Sequence, residues 1–338
     1  MKYTVGSLYA GVGGICEGFI QSDFNINWAN EFDKNACITY RENFSHTLYA
    51  EDIWQLDFQK LSKVDVIAGG FPCQPFSIAG YMKGFSDERG NHFFRIMKLV
   101  ETIQPKVIFL ENVKNLKGHD KGKTFKIIEE AVRKHGYSFH PKVMNSKEYG
   151  NIPQNRERIY IVCFKNNAKG EDEFGRFFRF PEPIELEQSI HDIISDQKVD
   201  EKYYYRSDKY NYEDLIKDMK SKDTVYQWRR HYVRENKQQV CPTLTANMGT
   251  GGHNVPLVLT KYGIRKLTPQ ECFKFQGFPE NYKLPNISNA SLYKQAGNSV
   301  TVSVIRRIAK NIKSALDQET IAPAKQTQLK LEIYSEHS

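Results

Sequence analysis

Short apolar runs separated by amphipathic segments pace the first half of this 338-residue chain, and this alternation constrains its fold more than any other feature. YTVGSLYA, NINWANEF, VDVIAGG, KVIFLENV and RIYIVCF read as strands, being too short for helices and bounded by Gly, Asn, Asp or Pro. Between them, HFFRIMKLVETI and TFKIIEEAVRKHG repeat apolar residues at helical spacing. Strands and helices in turn predict an α/β fold, a Rossmann-like sheet with right-handed crossovers and a ligand at the carboxyl edge of its strands. Residues that follow a strand are therefore the ones to read for chemistry.

From about Pro181 the rhythm stops, and the stretch to about Pro285 is rich in Tyr, Lys, Asp and Gly, as in YYYRSDKYNYEDL and NMGTGGHN. A second, smaller domain is expected there. Helical periodicity returns in SVIRRIAKNIKSAL, and ETIAPAKQTQLKLEIYSEHS reads as a loosely held tail. The division is then a first domain at 1–183 completed by 286–316, a second at 184–285 and a tail at 317–338. No apolar run approaches the roughly 18 residues of a membrane span, and no signal-peptide layout precedes the first strand, so a cytoplasmic protein is expected. Lys and Arg number 48 against 40 Asp and Glu, a net charge of +8 that favours a polyanionic partner. The 6 cysteines are scattered with no C-x-x-C pair, so neither a metal site nor a disulfide framework is expected.

The first strand runs into Gly11, Val12, Gly13 and Gly14 and then a helix, where backbone can approach a nucleotide-type ligand closely. An ordinary tight turn is the alternative. Glu31 ends the second strand, where its carboxylate is suited to both ribose hydroxyls, and Asp52 follows the third apolar run, suited to an adenine amine. Cys16 stands where the dinucleotide fingerprint wants its third glycine, which disfavours a nicotinamide oxidoreductase and favours a cofactor without a diphosphate, such as S-adenosylmethionine.

VDVIAGG leads into Phe71-Pro72-Cys73-Gln74-Pro75-Phe76-Ser77, which presents one thiol between two prolines at the active edge, a candidate nucleophile. The other cysteines read as small buried hydrophobes. KVIFLENV ends in Glu111-Asn112-Val113, so a carboxyl group reaches the same edge and pairs with Cys73 as nucleophile and acid. Gln154-Asn155-Arg156-Glu157-Arg158 precedes the strand IYIVCF and brings two arginines suited to orienting a carboxylate; a solvated charge run is the alternative. In the second domain, basic and aromatic residues interleave from Tyr226 to Arg234, including Arg229 and Arg230. Arginines there can contact guanine edges.

The motifs LYAGVGG, NEFDK, Glu51-Asp52-Ile53, GGFPCQPFS, RGNHFF, LENV, QNRERIYIV, RKLTPQECFKFQGFP and KQAGNSV follow one another in an order that resembles the DNA cytosine-5 methyltransferases of bacterial restriction-modification systems, over nearly the whole chain. The resemblance implies that Cys73 is the thiolate adding to carbon 6 of cytosine, that Glu111 holds or protonates the ring nitrogen at position 3, and that Arg158, with Arg156 behind it, steadies that carboxylate. It further implies an S-adenosylmethionine pocket, with S-adenosylhomocysteine as product, built from Tyr9, Gly11, Gly13, Glu31, Phe32, Asp52, Ile53 and Pro72 with Asn298 and Val300. Tyr9 stands where the family usually has phenylalanine, a change that keeps aromatic stacking.

On the same resemblance, 184–285 is a target-recognition domain, and Ser77 to Arg89 is a loop that closes over a flipped base. The implied DNA contacts are Gln74, Ser77, Lys83 and Arg89 from that side, and Arg229, Arg230, Arg234, Thr243, Leu244, Thr245 and Asn247 from the recognition domain, with Arg265 supporting the domain. The stretch is most similar to that of enzymes methylating GCNGC. The implied partners are duplex DNA and a cognate endonuclease acting separately on the same site, with the chain acting as a monomer. A transfer-RNA cytosine methyltransferase and a catalytically silent DNA-binding protein are the remaining alternatives.

Overall fold

The computed structural model describes residues 2–72, 92–209, 211–229, 231–250 and 254–335, with side chains as far as Gln318. Its centre is a 7-stranded sheet of β1 (Thr4–Leu8), β2 (Asn25–Asn30), β3 (Thr47–Tyr49), β4 (Val66–Gly70), β5 (Val107–Val113), β6 (His140–Asn145) and β8 (Glu157–Phe164), in the order β3-β2-β1-β4-β5-β8-β6. The omitted number, β7 (Gln154–Asn155), pairs outside this sheet with β11 (Cys241–Pro242).

The sheet has helices on both faces, and period-two alternation sorts its residues between them. Val66, Ala68, Val107 and Phe109 face one cluster with Phe19, Ile305 and Ile308 from helices α1 (Gly14–Ile20) and α9 (Val302–Ser335). Ile67, Ile108 and Leu110 face the other with Phe93, Met97 and Val100 from α3 (His92–Ile103) and Ile128 from α4 (Lys123–Lys134). Helix α2 (Lys34–Asn43) is capped by Asp33, whose side chain accepts from the amides of Asn35 and Ala36.

Strands β1 to β5 are parallel, as the alternation predicts, but β8 runs antiparallel between β5 and β6. This has a direct consequence for the site. A strand running the other way begins where its parallel neighbours end, so the residues at the start of β8 reach the carboxyl edge, and Arg158 lies across from Val113. Strand order reverses between β1 and β4, which opens the crevice where an α/β sheet takes its ligand.

The later part carries a 4-stranded sheet of β9 (Tyr226–Arg229), β10 (Tyr232–Glu235), β12 (Leu257–Thr260) and β13 (Gly263–Lys266), in the order β10-β9-β12-β13. Short helices α5 (Ser146–Tyr149) and α6 (Tyr212–Asp218) are followed by α7 (Pro269–Lys274), which starts with a capping box between Thr268 and Glu271, and α8 (Asn289–Asn298). The backbone of α9 continues helical to Ser335, through much of the segment read from sequence as a tail. Among the described residues, no helix is long and apolar enough to cross a membrane.

Candidate functional site

The crevice at the switch point is a cavity of about 680 Å³, lined by the ends of β1, β2, β4 and β5 and by residues of the Gln295–Val300 stretch. Tyr9, Gly11, Glu31, Phe32, Asp52, Ile53, Pro72, Asn298 and Val300 all line it, so the structure brings together nearly the whole set read from sequence. Gly11 has φ +57 and open space where a Cβ would stand, so its bare backbone faces the cavity. Gly13, also assigned to the ligand, is not among the residues that line the cavity. It has φ +83 and caps α1, and an added Cβ would fall 2.2 Å from Phe44, so it makes the turn and its packing instead.

Glu31 is buried, and three backbone amides hold its carboxylate: Gly11 donates to Oε2 at 2.8 Å, while Phe32 and Asp33 donate to Oε1 at 2.9 and 2.8 Å. A carboxylate has about four lone-pair positions, and three are taken, so one on Oε2 is left for a hydroxyl donor. Phe32 is 69% exposed beside the carboxylate, a free aromatic face at the cavity mouth. One acidic acceptor, a second at Asp52, an exposed ring and apolar Ile53 and Val300 suit a cationic nucleoside, and among the described residues no cluster suits a metal ion.

Glu111 and Arg158 enter the same cavity. Arg158 Nε lies 3.2 Å from Glu111 Oε1. Gly70 is paired with Glu111 in register, and a Cβ on it would stand 3.1 Å from Glu111 Oε2, so the glycine leaves room for the carboxyl group. Burial pushes the Glu111 carboxyl above the ordinary range, against the opposing pull of Arg158 and Arg156, and so favours its protonated form. Asn112 Nδ2 donates to the carbonyl of Phe71 at 2.8 Å, which ties the end of β4 to β5 where the chain heads for Cys73. Cys73, Gln74, Ser77, Lys83 and Arg89 themselves lie outside the described residues, as does Arg230. Cys16, the residue in place of the third glycine, is buried against the hydroxyl of Tyr40 at 3.0 Å, and burial pushes its thiol up, the opposite of a reactive cysteine.

Arg156 adds its charge to the pull on Glu111, but its hydrogen bonds go elsewhere. Its buried guanidinium donates to the carbonyls of Leu244 at 2.7 Å, Gly297 at 3.3 Å and Ser299. Gln154 works beside it: its Nε2 donates to the carbonyl of Phe275 at 2.6 Å, and its Oε1 accepts from the amide of Leu244 at 3.1 Å. The QNR segment is thus a seam joining the sheet to the stretch around Leu244 and to the residues before α9. Sequence reasoning missed Gln154 because a seam residue has no signature beyond being polar and buried. His92 was missed too. It lines the cavity from the first turn of α3, where an isolated histidine gives no signal in sequence.

A second concavity, about 720 Å³, gathers Arg229, Arg234, Thr243, Thr245 and Asn247 with Asn155 and Lys237. The β9–β10 hairpin sets Trp228 opposite Val233 and leaves Arg229 and Arg234 exposed, so the interleaved run is a strand pair with an apolar and a basic side. Thr243 Oγ1 donates to the carbonyl of Asn155 at 2.6 Å, and Thr245 Oγ1 donates to Asn247 Oδ1. Leu244 is fully buried among Met248, Phe273 and Ala296, so its side chain anchors this stretch and does not face a ligand, contrary to its place among the DNA contacts.

A cavity at the switch point, a buried acid held by an arginine, and a basic groove beside them agree with what known proteins report. A model of the C-5 cytosine-specific DNA methylases matches residues 3–314. The chain is 56% identical over 312 residues to the type II methyltransferase M.Bsp6I of Bacillus sp. (strain RFL6), covering 91% of this chain and 98% of that one. It is 37% identical over 324 residues to M.HhaI of Haemophilus parahaemolyticus, another type II methyltransferase, covering 92% and 94%. Among solved structures, a mutant of DNMT2 from Spodoptera frugiperda superposes with a TM-score of 0.70 at 22% identity, covering 92% and 99%, a likeness of fold. Geometry and sequence agree over the same residues, and the chain belongs to the C-5 cytosine-specific DNA methylases.

Proposed function

We propose that this DNA cytosine-5 methyltransferase moves a methyl group from S-adenosylmethionine to a cytosine flipped out of a short duplex site, and thereby protects that site from a partner endonuclease acting separately. The observation that carries this is the Glu111–Arg158 pair, 3.2 Å apart, in the wall of the cavity that also holds Gly11, Glu31 and Asp52. Similarity to type II methyltransferases supports DNA over transfer RNA as substrate. A monomer working in the bacterial cytoplasm suffices for this role.

When bound, the cofactor supplies an electrophilic methyl group; Glu31, Asp52, Phe32 and the open face of Gly11 would hold it. Cys73 adds as thiolate to carbon 6, and electron density moves through the ring toward the nitrogen at position 3. Glu111 gives that nitrogen a proton or a hydrogen bond, and Arg158 fixes the carboxyl group in position. Carbon 5 takes the methyl group, a base removes the proton there, and the thiolate leaves. Because the target atom is inside the duplex stack, the base must be extruded, at a cost of roughly a few kcal/mol.

The test is 5-methylcytosine sequencing of DNA from a methylation-free host expressing the protein or its Cys73→Ser variant. Methylation confined to one short motif, of GCNGC type, is expected for the first, and none for the second, while purified Cys73→Ser protein still binds the motif. An unmethylated genome from well-expressed wild-type protein would overturn the proposal.

Arg229 tests the groove. Arg229→Ala is expected to weaken binding to the methylated motif's unmodified duplex by about 1–3 kcal/mol with little change on unrelated duplex, if the arginine reads a guanine edge. Fluorescence anisotropy with both duplexes measures this. An equal loss on both would make Arg229 a phosphate contact instead.

A further inference from the structure

The cavity wall holds a polar pair, Tyr9 and His92, whose hydrogen bond no role above uses. Tyr9 leaves β1 with φ 52, a left-handed conformation that a tyrosine keeps only where its surroundings hold it. Its hydroxyl lies 3.0 Å from Nδ1 of His92, and the two rings meet edge to face with centroids 5.4 Å apart. Trp54 packs against His92 as well, with ring centroids 6.0 Å apart. Arg95, on the same helix as His92, lies over Trp54 and donates to the carbonyls of Ile53 and Leu56 at 3.0 and 2.9 Å. The imidazole is therefore gripped between Tyr9 and Trp54, close enough to Asp52 to feel its charge.

Burial keeps Tyr9 a neutral O–H donor and holds the His92 imidazole below the ordinary histidine range, hence neutral. With the Tyr9 hydroxyl donating to Nδ1 at 3.0 Å in preference to the His92 carbonyl at 3.5 Å, a neutral imidazole carries its proton on Nε2. Tyr9, His92, Asp52 and Trp54 all line the one cavity. A donor at His92 beside an acceptor at Asp52 is the complement of an adenine edge, where a ring nitrogen accepts and the exocyclic amine donates.

We propose that Tyr9 and His92 act as a specificity-determining pair for the adenine end of the cofactor, Tyr9 fixing the tautomer and orientation in which His92 offers its N–H beside Asp52. This rests on the reading of the cavity as the S-adenosylmethionine pocket. Tyr9 and His92 act as a unit: without the hydroxyl the imidazole loses its orientation, and without the imidazole the hydroxyl has nothing to orient.

Calorimetric titration of the purified full chain with S-adenosylhomocysteine, and with 5′-methylthioadenosine, which lacks the amino-acid part, tests the pair. Tyr9→Phe and His92→Leu are each expected to weaken both ligands by about 5- to 10-fold, and the double variant by no more than the worse single one. His92→Gln, which keeps a donor at the reach of Nε2, is expected to recover part of the loss. In methyl transfer, Tyr9→Phe should raise the KM for S-adenosylmethionine by about the factor by which its affinity for S-adenosylhomocysteine falls. Unchanged affinity in Tyr9→Phe, additive losses in the double variant, or a loss with S-adenosylhomocysteine alone would each overturn the proposal. Failure of the wild-type chain to bind either ligand would overturn the reading of the pocket itself. Tyr9→Phe keeps the ring and the packing, so it decides the matter even if a His92 variant does not fold.

Discussion

Glu111→Gln is expected to lower kcat for methyl transfer by about 10²–10⁴-fold while leaving cofactor and DNA binding within a few-fold of wild type. Glutamine fills the same space beside Gly70 and can still donate a hydrogen bond, but it has no proton to give. The loss therefore isolates proton transfer from positioning. The direction of the Glu111 shift adds a second reading. Burial raises this carboxyl group despite Arg158 at 3.2 Å, so its acid form persists to higher pH than that of an exposed glutamate. If the acid form is the working one, wild-type kcat declines as pH rises through that raised value, and the decline is absent in Glu111→Gln. Single-turnover transfer of a labelled methyl group across a pH series measures both effects. A decline that survives in the glutamine variant would assign the titration to another group and remove Glu111 as the acid.

The parts of this site that could be read in sequence are those where one residue type at one place has few alternative uses. Five of the seven strands of the central sheet were visible because a strand buried on both faces must be a short continuous apolar run. β3 and β6 lie at the two edges, are only partly buried, and were missed. The glycine turn, Glu31 and Glu111 were found because each stands at the end of a strand visible in the sequence, and the sheet delivers strand ends to one crevice. Arg156 was not legible in the same way. Whether an arginine before a strand reaches the substrate or a set of carbonyls depends on the direction of that strand and on what the chain packs there some 90 to 140 residues later, at Leu244 and Gly297. Leu244 failed similarly: a residue in a recognition stretch reads as a contact, yet a loop that presents Thr243, Thr245 and Asn247 needs an anchor, and the leucine is that anchor. The Tyr9–His92 bond joins residues on β1 and α3 that share no periodic pattern, so only the folded chain brings them into view.

Arg265→Ala is expected to destabilise the protein by about 3–5 kcal/mol, because it would leave a carboxylate charged, buried and without its partner. The side chains of Arg265 and Glu271 are 0% and 4% exposed, and the guanidinium donates to both carboxylate oxygens at 2.6 and 2.8 Å. The pair also fastens a third strand of chain: Arg265 donates to the carbonyl of Ser195 at 3.2 Å, and the Ser195 amide donates back to Glu271 at 2.8 Å. Arg265 sits on β13, at the end of the sheet whose far hairpin carries Arg229 and Arg234, so loosening it frees the frame behind the basic groove. The energetic argument predicts an asymmetry. A buried ion pair contributes little net stability once desolvation is counted, whereas half of one is strongly unfavourable. The double variant Arg265→Met with Glu271→Leu should therefore recover much of the stability lost in Arg265→Ala, although it also removes the capping box at Thr268 and so forfeits about 1 kcal/mol. Denaturant titration of the three proteins gives the comparison. A double variant as unstable as the single one would mean that the cost comes from the lost hydrogen bond to Ser195 and not from the stranded charge.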